Sequence, residues 1–393
     1  MLRTDSVHYP TEPMKRPVYF DNNATTAVER SVLDKMIPYF TMEYGNPSNT
    51  SHMFGWAADE AVQIAREQLA SLLSADPTGI VFTSGATEAI NHVIKGLGHG
   101  RKSGHILTVA TEHKAVLNAC ECLKEDGIET TLLPVDKNGR ITAKQVKDAL
   151  REDTFLVAVM WANNETGVLQ PIDEIAEVLG DHPALFFTDA TQSIGKVPVS
   201  VEGIDFLALS AHKFYGPKGV GALYIRPGKP VIQLPQLLHG GAQEKGRRAS
   251  TLNVPGIVGL GAAAEMCHNG LEARHEEMKA RRDRFESKLL SLFPDLAIHG
   301  KEVPRLPQTS NVTFPGIRAA EMMAEIGQVA VSTGSACTSG SGKPSHVLSA
   351  MGLTPEQAQG TVRFSMGAHT TDDEVNLAVE LFSTFAAHQA QLA

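Results

Sequence analysis

Apolar residues fall in short, dense runs along much of this chain. Residues 154–162 (TFLVAVMWA), 184–190 (ALFFTDA) and 204–210 (IDFLALS) are almost unbroken. Runs of this length, bounded by turn residues, predict parallel strands buried on both faces. GIVFTS (79–84), HILTVAT (105–111), TTLLPV (130–135) and GVGALYIR (219–226) read as further strands. Helical spacing lies between them. Residues 57–74 place Val62, Leu69, Leu72 and Leu73 on one face, and 86–97, 114–127 and a Thr-capped stretch from Ile141 also read as helices. Strand and helix in alternation predict an α/β fold, a mostly parallel sheet flanked by helices with right-handed crossovers.

The pattern changes after about residue 256. A long helical stretch (256–293) holds a possible break at Asn269-Gly270. Strand candidates TSNVTF (309–314), QVAVST (328–333) and TVRFSMG follow, and the chain ends in another helix. This predicts a smaller α+β domain. The division expected is a large domain over 18–260, and a small domain formed by 1–17 with 261–393.

One segment fits neither pattern. STGSACTSGSGKPS (332–345) has eight Gly or Ser among its fourteen residues and carries Cys337. Its composition predicts a flexible, solvated loop, whereas a free cysteine ordinarily serves as a small buried hydrophobe. The remaining cysteines, Cys120, Cys122 and Cys267, read as structural: the first two lie two apart in a helix and face different sides. No zinc-type Cys/His spacing occurs, so no metal is expected. The run KARRDR (279–284) reads as a solvated helix face. For Lys245, Arg247 and Arg248, a partner-docking patch and a subunit contact are both open.

With 35 Lys and Arg against 44 Asp and Glu the net charge is −9, which argues against nonspecific nucleic-acid or anionic-membrane binding. The opening residues lack a signal-peptide apolar core and no run is long enough to span a bilayer. With few cysteines, a cytoplasmic location is expected.

Four polar clusters sit at the carboxyl ends of predicted strands, where open parallel sheets bind ligands: TSGATE (83–88), TEH (111–113), TDATQS (188–193) and SAHK (210–213). Lys213 follows an apolar strand, where desolvation would make its amine nucleophilic; an ordinary surface lysine is the other reading. Asp189 at a buried strand end needs a cation or donors, or it caps the next turn. TSGATE offers a helix N-terminus suited to phosphate, with Thr87 in its first turn. Phosphate cup, cation partner and Schiff-base lysine together make a site for pyridoxal 5′-phosphate (PLP).

Beyond these clusters, the motifs FDNNATT, YGNPS, TSGATEAIN, TEHKAVL, NNETG, TDATQS, SAHKFYGPKGVGALY, GGAQEKGRRAST and STGSACTS resemble those of cysteine desulfurases of the NifS/IscS type, within the fold-type I PLP enzymes. The resemblance covers nearly the whole chain. It implies that Lys213 is the Schiff-base lysine and that Asp189 holds the pyridinium. Gln192 and Asn164 would lie near the phenolate oxygen, and His113 would stack on the ring and help move protons. Ala86, Thr87, Ser210 and His212 would bind phosphate, with Thr251 reaching it from a partner subunit. Arg363 would clamp the substrate carboxylate with Asn46 and Asn164 nearby, and Cys337 would accept the sulfur. The activity implied is conversion of L-cysteine to L-alanine with a persulfide on Cys337, in a homodimer that passes sulfur to an acceptor protein for iron–sulfur clusters, tRNA thiolation or DNA phosphorothioation. A selenocysteine lyase, an aminotransferase-like relative and a partner-dependent scaffold of low intrinsic activity are the alternatives. The tail after RFSMG and Gly340, Gly342 and Lys343 depart from the family's usual pattern, which leaves the acceptor open.

Overall fold

A computed structural model describes residues 17–180, 182–228, 230–333 and 344–392. Cys337 and the rest of 334–343 therefore lie outside the described residues.

A two-residue strand β1 (Val18–Tyr19) precedes the main sheet, which is built from β2 (Ile80–Thr83), β3 (Gly104–Val109), β4 (Ile128–Leu133), β5 (Thr154–Ala158), β6 (Leu185–Asp189), β7 (Phe206–Ser210) and β8 (Gly221–Ile225). The spatial order is β2-β8-β7-β6-β5-β3-β4. The strands from β4 through β7 pair in parallel, and β8 pairs antiparallel with both β7 and β2. The predicted sheet is thus present and mostly parallel, with one reversed strand.

Both faces of this sheet are covered, which is why its strands read as continuous apolar runs. Along β7, Phe206 and Ala208 pack on one side with Ile90, Val93 and Val116, while Leu207 and Leu209 pack on the other with Ile175, Leu69 and Leu260. Only β4, at the edge, shows exposed positions in its middle. Helix Val254–Asn269 packs into the second of these layers through Cys267, and the helix then breaks at Gly270 before Leu271–Leu292.

The later residues form a second sheet from β9 (Ala297–His299), β10 (Thr309–Thr313), β12 (Ser332–Thr333) and β13 (Thr361–Ser365), ordered β12-β13-β10-β9 and antiparallel throughout. Strand β11 (Val329–Ala330) leaves that sheet and pairs in parallel with β1. The predicted strand 328–333 is therefore two short strands in different sheets. Phe20, Phe285, Phe314, Phe364 and Phe382 form an aromatic core here, with Phe285 and Phe364 ring centroids 5.0 Å apart in an edge-to-face pair.

The packing agrees with one sequence reading and modifies another. Cys120 is buried and Cys122 exposed, as their spacing requires. In the KARRDR run, however, Arg282 is buried and its guanidinium donates to the Leu306 carbonyl at 2.8 Å, so one face of this turn packs on the protein while Lys279 and Arg284 stay exposed.

Candidate active site

The carboxyl ends of β3, β5, β6 and β7 point the same way, and β2, reversed twice through β8, ends on that side too. Loops leaving these ends enclose a cavity of about 630 Å³. Ala86, Thr87, His113, Asn164, Asp189, Gln192, Ser210, His212, Lys213 and Arg363 all line it.

Lys213 lies in the 3-10 turn Ala211–Lys213 that follows β7. Its Nζ donates to the backbone carbonyls of Asn23 at 2.7 Å and Ala24 at 2.6 Å. The segment that supplies those carbonyls is the FDNNATT motif. It is held over the turn by Thr26, whose N–H donates to the His212 carbonyl at 2.9 Å and whose hydroxyl accepts from the Tyr215 N–H at 2.8 Å. Two motifs that lie far apart in sequence thus form one wall.

At the end of β6, Asp189 is buried against the cavity and its Oδ1 accepts the Thr191 N–H at 2.9 Å. It caps the following turn and also presents a carboxylate to the cavity, so the two readings of this residue coexist. Across the cavity, helix Ala86–Gly98 begins at Gly85, with no side chain capping its first N–H groups. Gly85 has φ +155°, a conformation that favours glycine. Donors left open at a helix start, beside Ser210, suit an anion. Glu88 steadies this start: it accepts from the Ser84 N–H at 2.8 Å and from Arg248 Nε at 2.8 Å. Arg248 is thereby engaged within its own chain.

His113 ends the loop after β3. Its Nδ1 accepts the Ala115 N–H at 3.1 Å, so a neutral ring carries its hydrogen on Nε2. The ring is exposed toward the cavity and has protein packed around its other sides. That enclosure pulls its pKa below 6.5, with Lys213 and His346 adding to the shift and Asp189 opposing it. His212, hydrogen-bonded to the Thr25 hydroxyl at 3.1 Å, is lowered to about 4 by burial and by nearby lysines. Both imidazoles are neutral at pH 7.

Arg363, in β13, brings the small sheet to the site. Its guanidinium donates to the Asn164 carbonyl at 2.9 Å, to Asp21 at 2.6 Å and to the Ser332 hydroxyl at 2.8 Å. Its buried Nε has no partner among the described residues.

Asn46 does not line the cavity: it is exposed and its Oδ1 accepts the Ser48 N–H at 3.0 Å. Thr251, expected to act from a partner subunit, is exposed and outside its own chain's cavity wall. Ser332 lines the cavity, and Ser345 donates to Glu165 at 2.5 Å, which fixes the two ends of the segment that carries Cys337. Residues that sequence reasoning passed over are Asn23, Glu88 and, behind the wall, Glu112 and Lys196. Burial raises the carboxyl pKa of Glu112 well above the usual range. Each lies inside or beside a motif already singled out, but an unremarkable neighbour in a motif gives no separate signal.

The donor set is specific in its chemistry. Open amides at a helix start, a carboxylate and an amine that can form an imine fit a phosphate ester of an aromatic aldehyde with a basic ring nitrogen.

Comparison with known proteins agrees with this architecture. The aminotransferase class-V family model matches residues 18–377. A relative named cysteine desulfurase IscS, from Anaeromyxobacter dehalogenans (strain 2CP-C), is 47% identical over 373 residues, covering 94% of this chain and 92% of the relative. Among solved structures, a NifS-like protein superposes with a TM-score of 0.87 at 37% identity, covering 95% of this chain and 100% of that one. A structure described as SspA in complex with cysteine superposes with a TM-score of 0.80 at 38% identity, covering 90% and 99% respectively. With its sheet order, its cavity at the strand ends and a match over most of its length, this chain belongs to the aminotransferase class-V family.

Proposed function

We propose that this chain is a PLP-dependent L-cysteine desulfurase, which releases L-alanine and leaves the sulfur as a persulfide on Cys337. Cysteine desulfurases and class-V enzymes are in general PLP-dependent. The observation that carries the reading is one cavity lined by an amine (Lys213), a carboxylate (Asp189), an uncapped helix start (Ala86–Thr87) and a buried guanidinium (Arg363).

Ala86, Thr87, Ser210 and His212 hold the phosphate in this reading, Asp189 faces the ring nitrogen, and Gln192 and Asn164 lie near the phenolate oxygen. When bound, PLP supplies an electron sink that makes the substrate Cα–H acidic. Arg363 orients the substrate by its carboxylate, the planar fork suiting a bidentate contact. The Lys213 amine takes the Cα proton. His113, neutral with hydrogen on Nε2, delivers or accepts a proton beside it. The Cys337 thiolate attacks the substrate sulfur: an S–S bond forms, the Cβ–S bond breaks, and its electron pair stays with carbon, which is protonated and leaves as alanine. Cys337 is five residues from Ser332, which lines the cavity, a chain length of at most roughly 17 Å.

A homodimer belongs to this proposal. Phe40, Met42, Tyr44, Met53 and Trp56 are each more than half exposed, an apolar surface that a second copy would cover. Thr251 would then reach the partner's phosphate site. An acceptor protein would dock near Cys337. Among the described residues no helix is long and apolar enough to cross a membrane.

Incubation with L-cysteine without reductant, followed by peptide mass spectrometry, tests the reading. One added sulfur on the Cys337 peptide, with alanine released, is the expected result. Alanine with the sulfur on another cysteine would remove Cys337 from the mechanism, and a keto-acid product would replace the activity altogether.

A further inference from the structure

Lys196 is a buried charged group behind the cavity wall, and that chemistry gives it no role. It is 3% exposed. No carboxylate pairs with it among the described residues, and the only side-chain hydrogen bond of its Nζ there is to Gln192 Oε1 at 3.1 Å. A lone buried cation is costly, and proteins rarely keep one without use. Burial, with the Lys213 and Arg363 cations adding and the Cys267 thiol opposing, lowers its pKa to about 7.

The backbone is shaped to put it there. Gly195 has φ +72°, and a Cβ at this position would meet the Cys267 sulfur at 2.7 Å and the Phe214 Cβ at 3.0 Å. Only glycine lets the turn after β6 pass so close and swing the next side chain inward. The far side is pinned by His275, whose Nδ1 lies 3.0 Å from the Lys196 carbonyl.

What Lys196 touches is a cavity residue. The other end of the Gln192 amide donates from Nε2 to the Asn23 carbonyl at 3.0 Å. A backbone carbonyl only accepts, so the Asn23 contact makes that end of the amide its NH2 group, and the Lys196 amine donates to the oxygen at the other end. The NH2 group has a second hydrogen, and Gln192 lines the cavity.

We propose that Lys196 is a positioning residue of the active site: it holds the Gln192 carbonyl from behind and so commits the Gln192 NH2 to the cavity as a donor to the cofactor's ring oxygen. The proposal rests on the PLP reading above. Without Lys196 the Gln192 carbonyl keeps no partner among the described residues, and the Asn23 contact alone holds the amide.

The test is a double-mutant cycle read in the visible spectrum. Lys196→Met, Gln192→Ala and the double variant are loaded with PLP, and the absorbance of the Lys213-bound cofactor is recorded against pH. Lys196→Met is expected to move the titration midpoint by about half a pH unit or more, in the same direction as Gln192→Ala, and to add nothing in the Gln192→Ala background. The melting temperature of Lys196→Met should stay level or rise, because an apolar chain of similar length replaces an unpaired cation. A midpoint equal to wild type, or shifts that add in the double variant, would overturn the proposal. Should Lys196→Met not fold, Lys196→Gln, which keeps a donor, is expected to hold the wild-type midpoint, and the Gln192→Ala midpoint in its place counts against the idea. A wild-type chain with no visible band would mean that the PLP reading has failed. The same cycle on the melting of the cofactor-free chain then decides between coupled and independent roles for the pair.

Discussion

Lys213 and Gln192 share one acceptor: the Asn23 carbonyl receives the lysine Nζ at 2.7 Å and the glutamine Nε2 at 3.0 Å. The amine proposed to move the proton and the amide proposed to face the ring oxygen are thus held by a single backbone atom. Removing the amine should leave that wall standing. For Lys213→Ala we expect alanine formation to fall by about 10²–10⁴-fold or more, while far-UV circular dichroism stays that of the wild type. Unchanged turnover would dismiss Lys213 as the base.

Arg363 is tested by a substitution that keeps the charge. Lysine cannot form the fork, and losing one charge-assisted hydrogen bond costs roughly 1.5–3 kcal/mol. Arg363→Lys should therefore raise KM for L-cysteine about 10- to 150-fold with a smaller change in kcat. Steady-state kinetics would show the reverse split if Arg363 acted on the chemical step instead.

Cys337→Ala separates binding from sulfur transfer. The variant should take up PLP with the wild-type visible spectrum and form no persulfide. A variant that still charges sulfur on Cys122, which is exposed, would place the acceptor there.

The segment bearing Thr251 is tied to β2 by a buried ion pair. Arg66 donates to Glu244 at 2.7 Å and 3.1 Å, and Glu244 also accepts the Phe82 N–H at 2.8 Å. Arg66→Met alone strands a carboxylate and should cost about 3–5 kcal/mol, whereas Arg66→Met with Glu244→Met should cost markedly less. Urea unfolding of the two variants makes the comparison, and equal losses would argue against a desolvated pair.

His299 gives a pH signature. Burial lowers its pKa to about 4, and its Nε2 lies 2.7 Å from the Thr313 hydroxyl. The unfolded chain binds a proton near pH 6.5 that the folded chain refuses until about pH 4. Stability from this group is therefore complete above pH 6.5 and is lost as pH falls to 4, by at most about 3 kcal/mol. His299→Gln should flatten that part of the melting-temperature profile, and a parallel profile would show that His299 titrates normally.

Much of this was legible in the sequence for a physical reason. Strands covered on both faces must be apolar throughout, so β5, β6 and β7 announced themselves. The polar residues at their ends stood out against that background, and Asp189 and Lys213 were found there. Direction was not legible: β8 runs against its neighbours, yet a buried strand has the same composition either way. Nor was the division of 328–333 between two sheets, because pairs of residues carry no periodicity. Arg282 and Lys196 were hidden because a charged residue reads as solvated until its surroundings are known.

The Asp21–Arg363 contact spans 342 positions of the chain. At about 5–20 residues per second on a ribosome, these partners are made roughly 20–70 s apart. The pocket proposed for the substrate carboxylate therefore cannot exist on a nascent chain that has not yet reached residue 363, even one whose large sheet has already folded. The proposed sulfur chemistry is withheld until that point, by the order in which the polypeptide is made.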